Sequence, residues 1–106
     1  MTTFDNREKA FEDKYKHDQE LQFRVDVRRN KMLGLWIAEM LGKSQDEADA
    51  YAKEVVSADF EEPGDEDVVR KVMADLEGKV PDFSEHRLRN KMEELMTVAK
   101  RQIMEE

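Results

Sequence analysis

The sequence predicts an all-α fold: a small four-helix bundle with a protruding, partly disordered N-terminal helical segment. Two observations support this prediction. Apolar residues recur at three- and four-residue intervals in four stretches of the 106-residue chain, which is the spacing of one helix face. Capping residues, glycines and prolines separate these stretches, and no segment alternates with the period of a β-strand. Because the connections are short, neighbouring helices should run antiparallel.

The first predicted helix ends at Leu41, before Gly42, because glycine often closes a helix in the left-handed conformation. Its apolar residues form one stripe along the helix, and Trp36 lies at a position of that stripe. We therefore expect Trp36 to lie in the core. The face comprises Leu21, Val25, Met32, Leu33, Trp36, Ile37, Met40 and Leu41.

Three shorter helices follow. Ser44 and Glu47 have the spacing of a capping box at the start of the second helix. A proline–glycine break then precedes Asp65, which is expected to cap the third helix. A glycine ends the third helix, and Ser84 or Asp82 is expected to cap the fourth.

The N-terminal segment carries three aromatic residues that the bundle cannot readily bury. Phe4, Phe11 and Tyr15 share one helix face, while charges of both signs surround them. This aromatic stripe is too thin to build a core, but it suits docking into a groove of another protein. Packing back onto the parent bundle is the alternative.

Helix lengths predict where the bundle ends. A helix from Phe4 to Leu41 would be about 55 Å long, whereas the second and third helices would each be about 20 Å long. The bundle therefore cannot cover the whole first helix. We predict a docking segment over residues 1–20, mobile when free, and a four-helix bundle over residues 21–106.

Composition excludes several function classes. The net charge of −8, with 42% charged residues, argues against nucleic-acid binding, because phosphates require a positive surface. The absence of cysteine excludes disulfides and thiolate chemistry. No signal peptide and no apolar run of about 18 residues is present, so we predict a cytoplasmic protein without membrane insertion.

The sequence contains no pattern that indicates catalysis, a metal site or a cofactor. The acidic residues from Asp59 to Asp67 lack the order of a calcium loop and are better explained as a helix start. His17 and His86 have no partner at ligand spacing. We predict that the chain is not an enzyme and binds no cofactor; a small-molecule-binding bundle and a helical adaptor with another partner are the alternatives.

One compact basic patch follows the N-terminal segment. It comprises Arg24, Arg28, Arg29 and Lys31. Salt bridges to acidic residues of the second helix are one interpretation, and a secondary protein-docking surface is the other.

These motifs together resemble the alphaproteobacterial zeta subunit of the F1-ATPase, nearly end to end. The similar stretches are FDNREKAFEDKYKHDQELQF, RRNKMLGLWIAEMLG and AYAKEVVSADFEEPGDEDVVRKV. The resemblance implies a four-helix bundle whose N-terminal segment, here Thr2 to about Glu20, enters a catalytic alpha/beta interface of the F1 head and blocks ATP hydrolysis.

The resemblance also implies partners and contact residues. The partners would be the alpha and beta subunits, with gamma as a further candidate, and the chain would associate with the membrane-bound ATP synthase through its F1 head. A non-inhibitory adaptor is the alternative function. The implied partner-binding residues are Phe4, Asp5, Arg7, Glu8, Lys9, Phe11, Lys14 and Tyr15.

Overall fold

A computed structural model describes residues 2–60 and 64–106, with side chains from Asp18 onward, and these residues form four α-helices. Their bounds are α1 Thr2–Met40, α2 Gln45–Ala58, α3 Glu66–Leu76 and α4 Glu85–Glu105. Helix α1 packs against α2 and α4, and α3 contacts both α2 and α4. No described residue lies in a strand, so the all-α prediction is confirmed.

The helix ends follow the local rules on which the sequence prediction depended. Gly42 and Gly78 follow α1 and α3 with φ angles of 72° and 74°, values that only glycine adopts without strain. Ser44 and Glu47 form the predicted capping box of α2. The Ser84 hydroxyl accepts a hydrogen bond from the backbone N–H of Arg87, so Ser84 caps α4.

An aliphatic core joins the four helices. Leu33 and Ile37 of α1 are fully buried, and α2, α3 and α4 each contribute to the same cluster. Burial of such side chains from water is the main contribution to the stability of a small domain. The buried members are Leu33, Ile37, Ala38, Tyr51, Val55, Val68, Val69, Val72, Leu76, Leu88 and Met92.

Trp36 packs against this core, but it is only partly buried, so the expectation that it lies in the core is met only in part. One face of the indole packs on the core. The indole is tilted relative to the Phe83 ring, and the two ring centroids are 5.8 Å apart. The Lys91 ammonium lies 5.1 Å from the indole centroid, and the Arg87 guanidinium lies 5.8 Å from it. The indole therefore covers one edge of the core and lies within cation–π distance of both charged groups.

A smaller apolar cluster packs α4 against the earlier part of α1. Val25, Ala99 and Ile103 are its buried members, and Leu21 packs at its edge. The described packing of α4 on α1 therefore reaches back to Leu21. The backbone of α1 continues as helix to Thr2, and the molecule measures 65 × 25 × 20 Å, an elongation that agrees with the predicted overhang.

Helices α1 and α2 approach each other closely at Gly34. A Cβ atom placed on Gly34 would lie 2.5 Å from the Cα atom of Ala52, which is shorter than any ordinary contact. Ala52 is itself buried. This crossing therefore requires glycine on α1, although glycine disfavours a helix interior by about 1 kcal/mol relative to alanine.

Candidate docking site at the exit of the first helix

Among the described side chains of α1, packing against the rest of the bundle begins at Leu21. The side chains of Asp18, Gln19 and Glu20 are exposed, whereas Leu21 is half-buried against α4. The eight residues expected to bind a partner lie outside the described side chains, although the backbone there is helical as predicted. Their role therefore stays a prediction. They are Phe4, Asp5, Arg7, Glu8, Lys9, Phe11, Lys14 and Tyr15.

The basic patch divides into separate environments. Arg24 and Arg28 both form salt bridges with the Glu106 carboxylate, at the end of α4. These two arginines therefore form salt bridges, but the expected partners on the second helix were wrong, because Glu106 follows α4. Lys31 is exposed and has no ion pair among the described residues.

Arg29 is buried, with 2% of its surface exposed, so it cannot take part in the predicted secondary docking patch. Its Nη2 donates to Asp65 Oδ1 at 2.8 Å, and its Nε donates to Asn30 Oδ1 at 2.9 Å. Asp59 Oδ1 lies 3.9 Å from the same Nη2. The spacing offered a signal that was missed: Arg29 lies four residues from both Val25 and Leu33, on the buried face.

Asp65 also differs from its predicted role. It precedes α3 as the N-cap residue, but its side chain makes no capping hydrogen bond. Its carboxylate accepts instead from Arg29, which ties the start of α3 to α1. A buried guanidinium needs a carboxylate partner more strongly than an exposed helix end needs a cap, because an unpaired buried charge costs several kcal/mol.

Asp59 belongs to the same network and has a perturbed pKa. Burial raises the pKa of the Asp59 carboxyl, while a hydrogen bond with Asn30 and the charge of Arg29 oppose the rise. Asp59 is also the C-cap residue of α2, where the helix dipole disfavours a negative charge. The folded protein therefore disfavours the ionised form of Asp59, and the contacts with Asn30 and Arg29 only partly offset this.

A stacked aromatic pair lies beside this network on the outer surface. The rings of Phe23 and Phe60 have centroids 5.5 Å apart and planes inclined by 24°. Both remain exposed, at 54% and 58%. The pair was not predicted, because Phe23 lies off the apolar stripe of α1; a phenylalanine isolated from the stripe was the signal that the sequence offered.

A shallow acidic groove runs along this pair. Phe23, Asp26, Asn30 and Phe60 line it, together with Asp59 and Asp65. Among the described side chains, no group of three histidine, cysteine, aspartate or glutamate residues could hold a metal ion. The groove therefore presents aromatic rings and carboxylates rather than a metal centre.

Comparison with protein families identifies the chain. A family model described as "ATPase inhibitor subunit zeta" matches residues 1–102. The chain belongs to this family. Its role is therefore regulatory and ATPase-inhibiting rather than enzymatic, and membership implies binding to the ATP synthase. The predicted family and the predicted absence of enzymatic activity are confirmed.

Structural comparison supports the same fold. A solved structure described as "Solution NMR structure of the protein" is 60% identical in sequence, with a TM-score of 0.72 over 80% of this chain and 96% of that one. No curated protein matches the chain. Over the part of the chain that the structure describes, no helix is both long and apolar enough to cross a membrane.

Proposed function

We propose that the chain inhibits ATP hydrolysis by inserting residues 1–20 of α1 at a catalytic alpha/beta interface of the F1 head. In this proposal the bundle over residues 21–106 holds the inserted helix and stays outside the interface. The gamma subunit is a further candidate contact. The protein would work at the F1 head of the membrane-bound ATP synthase, on the cytoplasmic side.

The observation that supports this proposal is the continuity of α1. The helix has 39 residues, but α4 packs on it only from Leu21 onward among the described side chains. About 28 Å of helix precedes that point, at 1.5 Å per residue. A helix of this length is marginal in water without a packing partner, so a groove on the target would supply its apolar contacts.

The bundle gives the inserted helix a fixed base. Val25 and Leu33 anchor α1 in both apolar clusters, and Arg29 ties it to the start of α3. A partner that binds residues 1–20 would therefore bind a helix whose root is already ordered. Preorganisation of this kind lowers the entropy that binding must offset.

The test measures ATP hydrolysis by the cognate F1 head titrated with variants of the chain. Phe11→Ala and Tyr15→Ala should each weaken inhibition by about 10- to 100-fold, as aromatic hot spots do. Lys53→Ala, an exposed substitution on α2 outside the inserted segment, is the control and should inhibit normally.

Truncation separates the two regions. Removal of residues 1–20 should abolish inhibition while the circular dichroism spectrum remains helical. Equal inhibition by the intact and truncated chains would place the inhibitory surface in the bundle and contradict the proposal. Binding of the intact chain without inhibition would support the alternative of a non-inhibitory adaptor.

A further inference from the structure

We infer that the Phe23–Phe60 pair and the carboxylates beside it form a second contact with the ATPase head. We call this surface the shoulder; it comprises Phe23, Phe60, Asp26, Asp59 and Asp65. It would dock on a surface of the head that is rich in arginine or lysine, next to the site where α1 inserts. The inference rests on the proposed function, because it assumes that residues 1–20 bind the head. It assigns to the bundle a binding role of its own.

Exposure of the pair is the first reason. Among the described residues, the large apolar side chains with more than half of their surface exposed are Phe23, Phe60 and Met104. Two of these three stack on each other, so they form one continuous apolar surface rather than scattered contacts. Aromatic residues are enriched at the centres of protein interfaces, where they supply much of the binding energy.

Charge determines the kind of partner. Asp26, Asp59 and Asp65 line the groove beside the rings, while Asp18 and Glu20 are exposed on the preceding turns of α1. Arg29 neutralises part of this charge from beneath, but Asp26 has no ion pair among the described residues. Carboxylates and aromatic faces both attract cations, and arginine can stack on a ring while it pairs with an acid.

Position connects the pair to the proposed inhibitory segment. Phe23 lies eight residues after Tyr15 on the same helix, or about 12 Å along the axis. A partner that holds Tyr15 in a groove would therefore bring the rim of that groove close to Phe23. Because α1 is one continuous helix, the direction of this approach is fixed.

Rigidity beneath the pair favours binding. Phe60 follows α2, and the neighbouring Asp59 lies against buried Arg29 at 3.9 Å. Arg29 also holds the start of α3 through Asp65. Phe60 is therefore presented by a junction that is tied to α1 from below, so little ordering is needed when a partner covers it.

The experiment measures the dissociation constant of the full-length chain with the cognate F1 head. Phe60→Ala should weaken binding by about 10-fold or more, the effect of losing an interface hot spot. Phe60 lies outside α1, so this loss cannot arise from a damaged inhibitory helix. Met104→Ala is the matched control, since Met104 is an apolar side chain, 75% exposed, that does not line the groove, and its binding should be unchanged.

Charge reversal tests the chemistry of the partner. Asp26→Lys should weaken binding several-fold at low salt, and the difference should shrink at high salt, because long-range attraction is screened. Asp26→Asn should have a smaller effect in the same direction. Tighter binding by Asp26→Lys would show that the facing surface is acidic and would overturn the inference.

The outcomes distinguish the shoulder from the proposed function. Weak binding by Tyr15→Ala together with normal binding by Phe60→Ala would overturn the shoulder and leave the inhibitory helix intact. Normal binding by Tyr15→Ala would contradict the proposed function instead. A Phe60→Ala chain that binds F1 normally but loses self-association in sedimentation would assign the pair to a second copy of this chain, which also overturns the inference.

Discussion

The two ends of the bundle are held together by different interactions. At the closed end, where α1 turns into α2, the large aliphatic cluster around Leu33 and Ile37 encloses the core. At the exit end, where α1 leaves the bundle, the apolar cluster is small, with Val25, Ala99 and Ile103 as its buried members. Buried Arg29 lies there too, with hydrogen bonds to Asn30 and Asp65.

This difference assigns different physical roles to the two ends. Aliphatic packing supplies stability but is not directional, so it tolerates small rotations of a helix. Charge-assisted contacts are directional, and Arg29 of α1 can reach Asp59 after α2 and Asp65 before α3 together only when the three helices are correctly placed. The exit end therefore sets the direction in which α1 leaves the bundle, while the closed end contributes most of the stability.

The largest expected effect comes from breaking the network at the exit end. Arg29→Ala removes a buried guanidinium and leaves the partly buried Asp59 and Asp65 without their cation, so it should lower the free energy of unfolding by about 3–5 kcal/mol. Arg28→Ala, at its partly exposed neighbour, removes a solvent-accessible salt bridge and a long hydrogen bond to Gln102, and should cost about 1 kcal/mol or less. Urea denaturation measures both.

A second variant shows whether the Arg29 effect arises from charge or from lost volume. Arg29→Leu combined with Asp65→Asn removes one charge of each sign and should recover much of the loss, because replacing both partners of an ion pair leaves no unpaired charge. Similar losses for Arg29→Ala and Arg28→Ala would show that the network does not hold the exit end.

The next effect tests the closed end. Leu33 is fully buried, and Leu33→Ala should lower the free energy of unfolding by about 2–5 kcal/mol through lost burial and a cavity. Ile103→Ala at the exit end should cost less, because the last turn of α4 can fray locally instead of leaving a cavity. Hydrogen exchange should show that Leu33→Ala weakens the whole bundle. An equal, global loss for both variants would contradict the division between the two ends.

The elements of the fold were largely predictable from sequence, because helix signals are local. Apolar spacing, the Ser44 capping box and the glycine after α1 determine where helices begin and end. The aromatic stripe of residues 1–20 was equally visible in the sequence, although its side chains lie outside the described set.

Tertiary features were not predictable from the same signals. Arg29 and Arg28 are adjacent arginines with similar local sequence, yet one is buried and the other partly exposed. The stacking of Phe23 on Phe60 joins residues that are far apart in the chain. Such contacts depend on how the helices pack, which local periodicity does not specify.

A third prediction concerns the close contact between α1 and α2 at Gly34 and Ala52. Gly34→Ala improves helix propensity, but its Cβ would meet the backbone of Ala52 at 2.5 Å. Because backbone cannot rotate away, α1 and α2 must separate, and the net loss should be about 1–2 kcal/mol. Lys31→Ala, an exposed position on the same helix, is the control and should not destabilise the fold. A higher melting temperature for Gly34→Ala would mean that the helices cross further apart.

The smallest expected effect concerns the pH dependence of the exit end. Burial raises the pKa of Asp59 above its ordinary value of 3.8, so the native state retains this proton more readily than the unfolded state does. Between the ordinary and the raised pKa, stability attributable to Asp59 therefore falls as the pH rises. Above both values the ionised carboxylate disfavours the folded state.

Asp59→Asn should remove that dependence. The amide cannot ionise, but its oxygen can still face Arg29, so the variant should be slightly more stable than the parent at pH 7. The gain should disappear as the pH falls below 3.8, where Asp59 is protonated in both states. Urea denaturation of both proteins across this pH range gives the difference curve. A variant less stable than the parent at pH 7 would show that the ionised Asp59–Arg29 contact outweighs the cost of burying the carboxylate, and that charge pairing at the exit end contributes stability as well as geometry.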